Sequence, residues 1–180
     1  DVQKTDWFYT ELAAAVGAGV FNGTSDTTMA PNAPITREQA AVVLCRAFGV
    51  VSADRESYKS FADGKKVSGY ARDAVSAMKE SKLVNGYSDG TFLPGNPITR
   101  AEVAQLLYNL FDCIADTPEE IPASGWVLYR GKDALPKNIA IDGTLVLGQA
   151  MPTKLEIEEW SVTGTLVLRT ATNTEADLTG

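Results

Sequence analysis

The sequence of 180 residues contains no histidine. This absence excludes catalytic triads and general bases built on histidine, and it excludes zinc sites with histidine ligands. Basic residues are in the minority, 16 against 23 acidic residues, which gives a net charge of −7. Proteins that bind nucleic acid or anionic lipid present a basic face, so neither is expected as a partner.

Cysteine is scarce and long apolar runs are missing. Cys45 and Cys113 are too far apart for a CxxC motif, and both lie in stretches of helical character. They are predicted to be buried free thiols, although in an exported chain they could pair as a disulfide. The longest apolar runs, such as residues 12–16, fall far below the roughly 20 residues that span a bilayer. We predict no metal, no cofactor and no membrane insertion.

A repeat with a period of 63 residues organises the first two thirds of the chain. Residues 20–49 align with residues 83–112 without a gap, and 13 of the 30 pairs are identical. Each unit is predicted to form two helices joined by a loop, with the first helices at about residues 7–19 and 70–82. The chain begins with Asp1 and shows no signal-peptide pattern, which fits a mature form or an excised piece.

The second helix of each unit has the clearest pattern. Its apolar residues recur at i, i+3, i+4, i+7 and i+8, which predicts one buried stripe per helix. The stripes are Val103, Leu106, Leu107, Leu110 and Phe111 in the second unit, and Ala40, Val43, Leu44, Ala47 and Phe48 in the first. Thr99 and Glu102 have the spacing of a capping box, and Thr36 with Gln39 repeats it.

Beyond residue 116 the helical spacing disappears. The seven residues from Ile141 recur 21 residues later, from Val162, as short β-rich runs that indicate stacked strands of a solenoid-like kind. Leu145, Leu147, Leu166 and Leu168 are predicted to face one interior, and Gly143 and Gly164 to occupy equivalent turns. The predicted fold is mainly α: two tandem helix-loop-helix repeats, then a β-rich segment. Its boundaries are 1–51, 61–113, a linker at 114–124, and 125–180.

The motifs of the second unit resemble those of S-layer homology domains. It carries FAD at residues 61–63, GYSDGTFLP at 86–94 and ITRAE at 98–102, with Tyr70-Ala71 in the place of a Trp-Ala pair. The first unit departs from this pattern at Thr27, Met29 and Gln39, and its Phe-x-Asp would lie before the start of the chain. The resemblance covers about residues 1–113.

This resemblance implies a non-catalytic anchor on the bacterial cell surface. Such domains bind secondary cell-wall polysaccharide, often through a pyruvylated amino sugar, in grooves between three packed units. With two units here, the expected partners are an anionic wall glycan and a third unit or a second copy of the chain. The alternative is surface assembly or adhesion through protein packing without glycan. A polysaccharide-processing enzyme would need catalytic carboxylates beyond Gly180, since none converge in this sequence.

Arg37 and Arg100 are the leading candidates for ligand binding. A cation in the first turn of a helix faces the positive end of the helix dipole, so each indicates a nearby anion. That anion is either a ligand carboxylate or phosphate, or a loop carboxylate such as Asp89 or Asp26.

The other candidate ligand-binding residues each have a structural explanation as well. Thr99 and Glu102, like Thr36, are accounted for by helix capping. Trp7 and Tyr70 could stack on a sugar ring or lie in the core. Asp89, like Asp26, fits a loop turn better than a calcium site, because no bidentate glutamate follows. Gly86 belongs to the motif loop.

Overall fold

The computed structural model describes residues 1–25, 27–148, 154–156, 158–168 and 175–177. Within these residues the chain forms four α-helices, four short 3₁₀-helices and seven β-strands. It divides into two compact units, Asp1–Leu106 and Leu107–Gly180. The fold is therefore mixed helix and sheet, and the prediction of a mainly α chain is wrong in its balance, because strands dominate after residue 112 and α1 and α3 have nine residues each.

Two repeats of helix, loop and helix follow one another, as the 63-residue period predicts. The helices are α1 (Tyr9–Gly17), α2 (Arg37–Phe48), α3 (Arg72–Glu80) and α4 (Arg100–Leu110). The 3₁₀-helices η1 (Ser57–Ser60), η2 (Gly64–Lys66) and η3 (Gly69–Ala71) precede α3. Both second helices begin at the arginine of an Ile-Thr-Arg sequence, so the local start signals were placed correctly.

The core of the first unit lies between α2 and α3. α2 buries a face of mostly small side chains, with Ala41 1%, Ala40 6% and Cys45 8% exposed. The predicted stripe is wrong for Val43, Leu44, Ala47 and Phe48, which are half-buried or exposed. Small side chains allow closer approach of the two helices, so α2 turns its small face to α3. Burial raises the pKa of the Cys45 thiol to about 11, which makes it a poor nucleophile.

α4 does not bury the stripe predicted for it. Leu110 is 9% exposed, whereas Leu107 is 38% and its neighbour Tyr108 66% exposed. Val103, Leu106 and Phe111 are half-buried. α2 has α3 packed against it, but among the described residues no helix packs extensively on α4. The apolar pattern identifies a surface that a helix can bury, and it does not supply the partner.

The second unit is built from parallel strands. They are β1 (Cys113–Ala115), β2 (Ser124–Tyr129), β3 (Ala140–Leu147), β4 (Lys154–Glu156), β5 (Ser161–Val162), β6 (Leu166–Leu168) and β7 (Glu175–Asp177). β1 pairs with β2, β2 with β3, β3 with both β5 and β6, and β4 with β7. Cys113 thus lies on a strand rather than in a helix, and it and Cys45 are free thiols. Pro118–Glu120, in the predicted linker, forms the 3₁₀-helix η4.

The strands stack in register around one core. Leu145 lies opposite Leu166 and Leu147 opposite Leu168, an offset of 21 residues. Leu145 and Leu147 are fully buried, and Leu166 packs against their cluster. The predicted interior is confirmed for these three residues, whereas Leu168 is 36% exposed. Predicted interior positions in residues 149–153, 169–174 and 178–180 lie outside the described part of the chain.

A column of glycines runs through these strands. Gly125 lies opposite Gly143, and the Gly164 amide donates to the Gly143 carbonyl at 2.9 Å. Gly125 and Gly143 have φ values of 102° and 154°, and a Cβ at Gly143 would collide with the Gly125 carbonyl. Both the conformation and the close stacking therefore require glycine. The equivalence predicted for Gly143 and Gly164 is confirmed.

Candidate functional site

The two Ile-Thr-Arg segments meet within the first unit. The Ile98 amide donates to the Ile35 carbonyl at 3.2 Å, and Thr36 and Pro97 form an antiparallel bridge. The Arg37 amide donates to the Asn96 carbonyl at 2.9 Å, and the next amide of α2 is used in the same way. The free N–H groups of the first turn of α2 are thus taken by backbone carbonyls of the second repeat.

Both helix starts carry the predicted capping box. In α2, the Gln39 amide donates to Thr36 Oγ1, and the Thr36 amide donates to the Gln39 side chain at 2.9 Å. In α4, the Glu102 amide donates to Thr99 Oγ1 at 3.2 Å, and the Thr99 amide donates to Glu102 Oε2 at 2.8 Å. Capping therefore accounts for these contacts of Thr36, Thr99 and Glu102 without a ligand.

Arg37 is buried between the two repeats, with 8% of its surface exposed. Its Nε donates to the Phe92 carbonyl at 2.7 Å, and its Nη1 donates to Glu102 Oε1 at 2.7 Å. The guanidinium lies over the ring of Tyr87, 4.7 Å from its centre. Its carboxylate partner is Glu102 of the other repeat, not Asp89; the other loop acid, Asp26, lies outside the described residues.

Glu102 gathers four donors. Its carboxylate accepts from the Tyr87 hydroxyl, from Thr99 Oγ1 at 2.9 Å and from the Thr99 amide, in addition to Arg37. The Tyr87 hydrogen bond and the Thr99 amide lower the pKa of Glu102 to about 2. The same hydrogen bond raises the pKa of Tyr87. The cluster is thus a site shaped for a carboxylate, and the side chain of Glu102 occupies it.

Arg100 has a different environment from its counterpart. It is exposed, and among the described residues its guanidinium forms no ion pair or side-chain hydrogen bond. Asp89 is engaged elsewhere, because its Oδ1 accepts from the Thr91 amide at 2.9 Å and the Thr91 hydroxyl at 2.7 Å. These bonds lower the pKa of Asp89 and fix the motif loop. Gly86 has a φ of 81° and lies against the ring of Phe61.

The two candidate aromatic residues lie outside the helices predicted to hold them. Trp7 precedes α1 and is 90% exposed, in edge contact with Phe8 at 5.4 Å. Tyr70 lies in η3 and is 59% exposed, with its hydroxyl donating to Glu38 at 2.9 Å. Burial and this bond raise the pKa of Tyr70 to about 12. A place in the core, one of the two explanations, is wrong for both rings.

Sequence reasoning missed the role of Glu38. It is 7% exposed, and its carboxylate accepts from the Ser68 amide and hydroxyl at 2.9 and 2.7 Å as well as from Tyr70. This carboxylate ties the start of α2 to the segment before α3. No pattern in the sequence signals the contact, because α4 has Ala101 at the equivalent position.

Sequence reasoning also missed the role of Asp1. The Asp63 carboxylate accepts from the amides of Phe92 and Leu93 at 2.8 and 2.9 Å. Asp1 makes the same two contacts in the first repeat, with the amides of Met29 and Ala30. The prediction that the motif aspartate lies before the chain is therefore wrong. One residue fewer separates Asp1 from Trp7 than Asp63 from Tyr70, so an ungapped alignment hides the match.

Neither a membrane span nor a metal centre is found in the part of the chain that the structure describes. No helix there combines the length and apolar character that crossing a bilayer requires. No three acidic or cysteine side chains there come together in a way that could hold a metal ion.

Comparison with known proteins points to one family. The S-layer homology domain model matches residues 1–41 and 60–104. A surface-layer 125 kDa protein of Lysinibacillus sphaericus is 30% identical over 122 residues, 66% of this chain and 10% of that protein. A cellulosome-anchoring protein of Acetivibrio thermocellus is 39% identical over 84 residues, 46% of this chain and 19% of that protein. An amylopullulanase of Thermoanaerobacterium thermosulfurigenes is 32% identical over 115 residues, 62% of this chain and 6% of that protein. The chain thus spans less than a fifth of each relative.

Proposed function

Residues 1–41 and 60–104 are S-layer homology domains, and we propose that they anchor the protein that carries them to an anionic glycan of the bacterial cell wall. The relatives support a place at the cell surface, since they include a surface-layer protein and a cellulosome-anchoring protein. The enzyme among them matches over only 6% of its length. A matching segment that small fits an attachment role rather than catalysis.

The observation that carries the proposal is the contrast between two equivalent arginines. Arg37 holds the carboxylate of Glu102 at 2.7 Å, which provides an internal example of what an arginine at this step of the repeat binds. Arg100 lies at the same step of the second repeat and is exposed. We assign the ligand's carboxylate or phosphate to Arg100, because a guanidinium pairs with either in a two-pronged geometry.

The remaining candidate residues take supporting roles in this proposal. Thr99 and Glu102 position the start of α4 and hence Arg100, and Thr36 does the same for Arg37. Asp89 and Gly86 shape the motif loop that precedes α4. The exposed rings of Trp7 and Tyr70 offer flat apolar surfaces of the kind that sugar rings stack on. A pyruvylated amino sugar would supply both a carboxylate and such a ring.

We propose that the β-rich segment is a spacer or the start of a passenger domain. Its parallel pairs with 21-residue offsets, β3 with β6 and β4 with β7, support the first coils of a longer solenoid. The division into repeats at 1–51 and 61–113, a linker at 114–124 and a β segment at 125–180 is proposed on the same basis.

A second candidate function is assembly through protein packing. Leu107 and Tyr108 on α4 are 38% and 66% exposed, which is a surface that a third unit or a second copy of the chain could cover. In that case the helical repeats would hold no glycan. The two candidates differ in whether binding to the wall depends on Arg100.

Sedimentation with purified wall sacculi tests the proposal. Arg100→Ala is expected to weaken binding roughly ten- to a hundredfold, because one charge-assisted hydrogen bond contributes about 1.5–3 kcal/mol. Lys65→Ala is the matched control, since it removes one exposed positive charge in the same unit. Sacculi stripped of their anionic secondary polysaccharide should bind neither the parent chain nor the variants.

Two results would contradict the anchoring proposal. Equal binding of Arg100→Ala and the parent chain would remove Arg100 from the site. Undiminished binding to stripped sacculi would show that an anionic glycan is not the ligand, and self-association measured by sedimentation velocity would then favour the assembly role.

A further inference from the structure

An open cleft of about 410 Å³ lies in the first unit beside α1. Its floor is apolar, formed by Leu12, Ala13 and Val16 of α1, and Gly23 and Met29 of the following loop close one side. Asp1 lies at one end. A cavity of roughly 150 Å³ with an apolar lining holds a benzene ring, so the cleft has room for a ring and the backbone that carries it.

The 63-residue repeat shows what fills the equivalent place in the second repeat. Gly23 corresponds to Gly86 and Met29 to Phe92. There, Phe61 is 4% exposed, its ring lies against Gly86, and its centre is 5.3 Å from that of Phe92. Phe61 and the helix η1 before it cover α3, and the Tyr58 amide donates to Ser76 Oγ at 3.1 Å.

Burial differs between the two repeats in the way this correspondence predicts. Val75 and Ser76 of α3 are fully buried. Their counterparts on α1, Leu12 and Ala13, are half-buried and exposed, and α1 buries no residue at all. The first repeat therefore has an apolar surface that is complete in every part except the ring that covers it.

Asp1 fixes the direction from which that ring would come. Phe61 precedes Asp63 by two residues, and the Asp63 carboxylate holds the amides of Phe92 and Leu93. Asp1 holds the amides of Met29 and Ala30 in the same way. A peptide that runs into Asp1 as residues 58–62 run into Asp63 would place a side chain two residues ahead of Asp1 in the cleft.

We propose that this cleft is a binding site for a phenyl side chain, carried on a peptide segment that joins the amino group of Asp1. The proposal is independent of glycan binding, because it concerns the covering of α1 and uses none of the residues around Arg100. Burying the ring would complete the half-exposed core of the first repeat.

Grafting a copy of residues 57–62, SYKSFA, directly ahead of Asp1 of the full chain tests the site. The graft is expected to raise the melting temperature by about 5 °C or more, and to slow hydrogen exchange in α1. The matched control is the same graft with its phenylalanine replaced by alanine, which should leave both quantities near those of the parent chain. Equal effects of the two grafts would overturn the proposal.

A second pair of variants asks whether the ring occupies this cleft rather than another surface. Val16→Asp places a charge at the floor of the cleft, and because Val16 is 41% exposed the parent fold should tolerate it. Combined with the phenylalanine graft, it is expected to abolish the gain in melting temperature. Val51→Asp, at a position 83% exposed and outside the cleft, should leave the gain intact. A gain that survives Val16→Asp would place the ring elsewhere and refute the assignment.

Discussion

Arg37 and Arg100 occupy the same step of two repeats, yet their side chains do different work. The cross-repeat contacts bury Arg37 and give it Glu102 and the Phe92 carbonyl as partners. A buried charge is tolerated only where such partners satisfy it, so Arg37 is a structural brace between repeats. The exposed Arg100 needs no internal partner and costs the fold little if removed.

Removing the brace is expected to destabilise the fold. Arg37→Ala should lower the free energy of unfolding by about 2–4 kcal/mol, because it leaves the Glu102 carboxylate and the Phe92 carbonyl without their partner. Arg100→Ala, at an exposed position, should change it by less than about 0.5 kcal/mol. Urea denaturation of both variants checks this contrast, and similar losses in the two would contradict it.

The ionisation of Glu102 gives stability a dependence on pH. Its hydrogen bonds with Tyr87 and Thr99 lower its pKa from an ordinary 4.5 to about 2 in the folded chain. The ionised form is therefore favoured by folding, and its contribution is complete above pH 4.5 and is lost as the pH falls toward 2. In acid denaturation, the stability advantage of the parent chain over Glu102→Gln should shrink across this window. A constant difference would rule out this titration.

Local signals at single residues could be predicted from the sequence, and distant contacts could not. The capping boxes at Thr36 and Thr99 depend on residues three positions apart, so spacing alone reveals them. The pairing of Arg37 with Glu102 joins residues 65 positions apart and depends on how the repeats pack. The carboxylate of Asp1 was hidden by a deletion of one residue, which shifts it out of the ungapped alignment.

At the scale of helices, the hydrophobic pattern identified the elements but not their buried faces. α4 has the more regular apolar stripe, yet α2 is the helix with a buried face, built from Ala40, Ala41 and Cys45. The pattern counts large apolar side chains, whereas close packing against α3 selects small ones. A helix partner outside the helix's own sequence decides which face is covered.

Two core substitutions distinguish these helices. Met78→Ala, at a position of α3 that is 1% exposed, is expected to cost about 2–5 kcal/mol through lost burial and a cavity. Leu107→Ala on α4, at 38% exposed, should cost about 1 kcal/mol or less, because the shortened side chain leaves no enclosed cavity. Thermal melting provides the comparison. A larger loss for Leu107→Ala would show that a partner covers α4 in solution.

Across the whole molecule, a helical unit is followed by a unit of stacked parallel strands. The sequence predicted this change of architecture from the loss of helical spacing and from the 21-residue recurrence. It did not predict that the stacking begins as early as β1 (Cys113–Ala115), because the first offsets, from Val127 to Cys113 and from Leu145 to Val127, are 14 and 18 residues rather than 21. Only the later strands repeat in sequence as they do in space.

The glycine column is the most sensitive point of the second unit. Gly143→Ala combines a strained φ of 154° with a collision against the Gly125 carbonyl, and we expect a loss of at least about 2 kcal/mol. The fluorescence of Trp126 and Trp160, both in this unit, reports its unfolding. Gly95→Ala, where the structure leaves open space, is the control and should have little effect. An unchanged transition for Gly143→Ala would mean that the glycines do not stack.

The 21-residue offset of β3 and β6 has a consequence for the evolution of length in this part of the protein. Stacked strands lie about 4.8 Å apart, so a turn of 21 residues, which could extend to about 70 Å, adds only that much thickness. An insertion or deletion that is not a whole turn shifts every later side chain out of its column and, if odd, reverses inside and outside. Duplication of one complete turn preserves every contact. Such segments can therefore lengthen only in discrete steps of a whole turn.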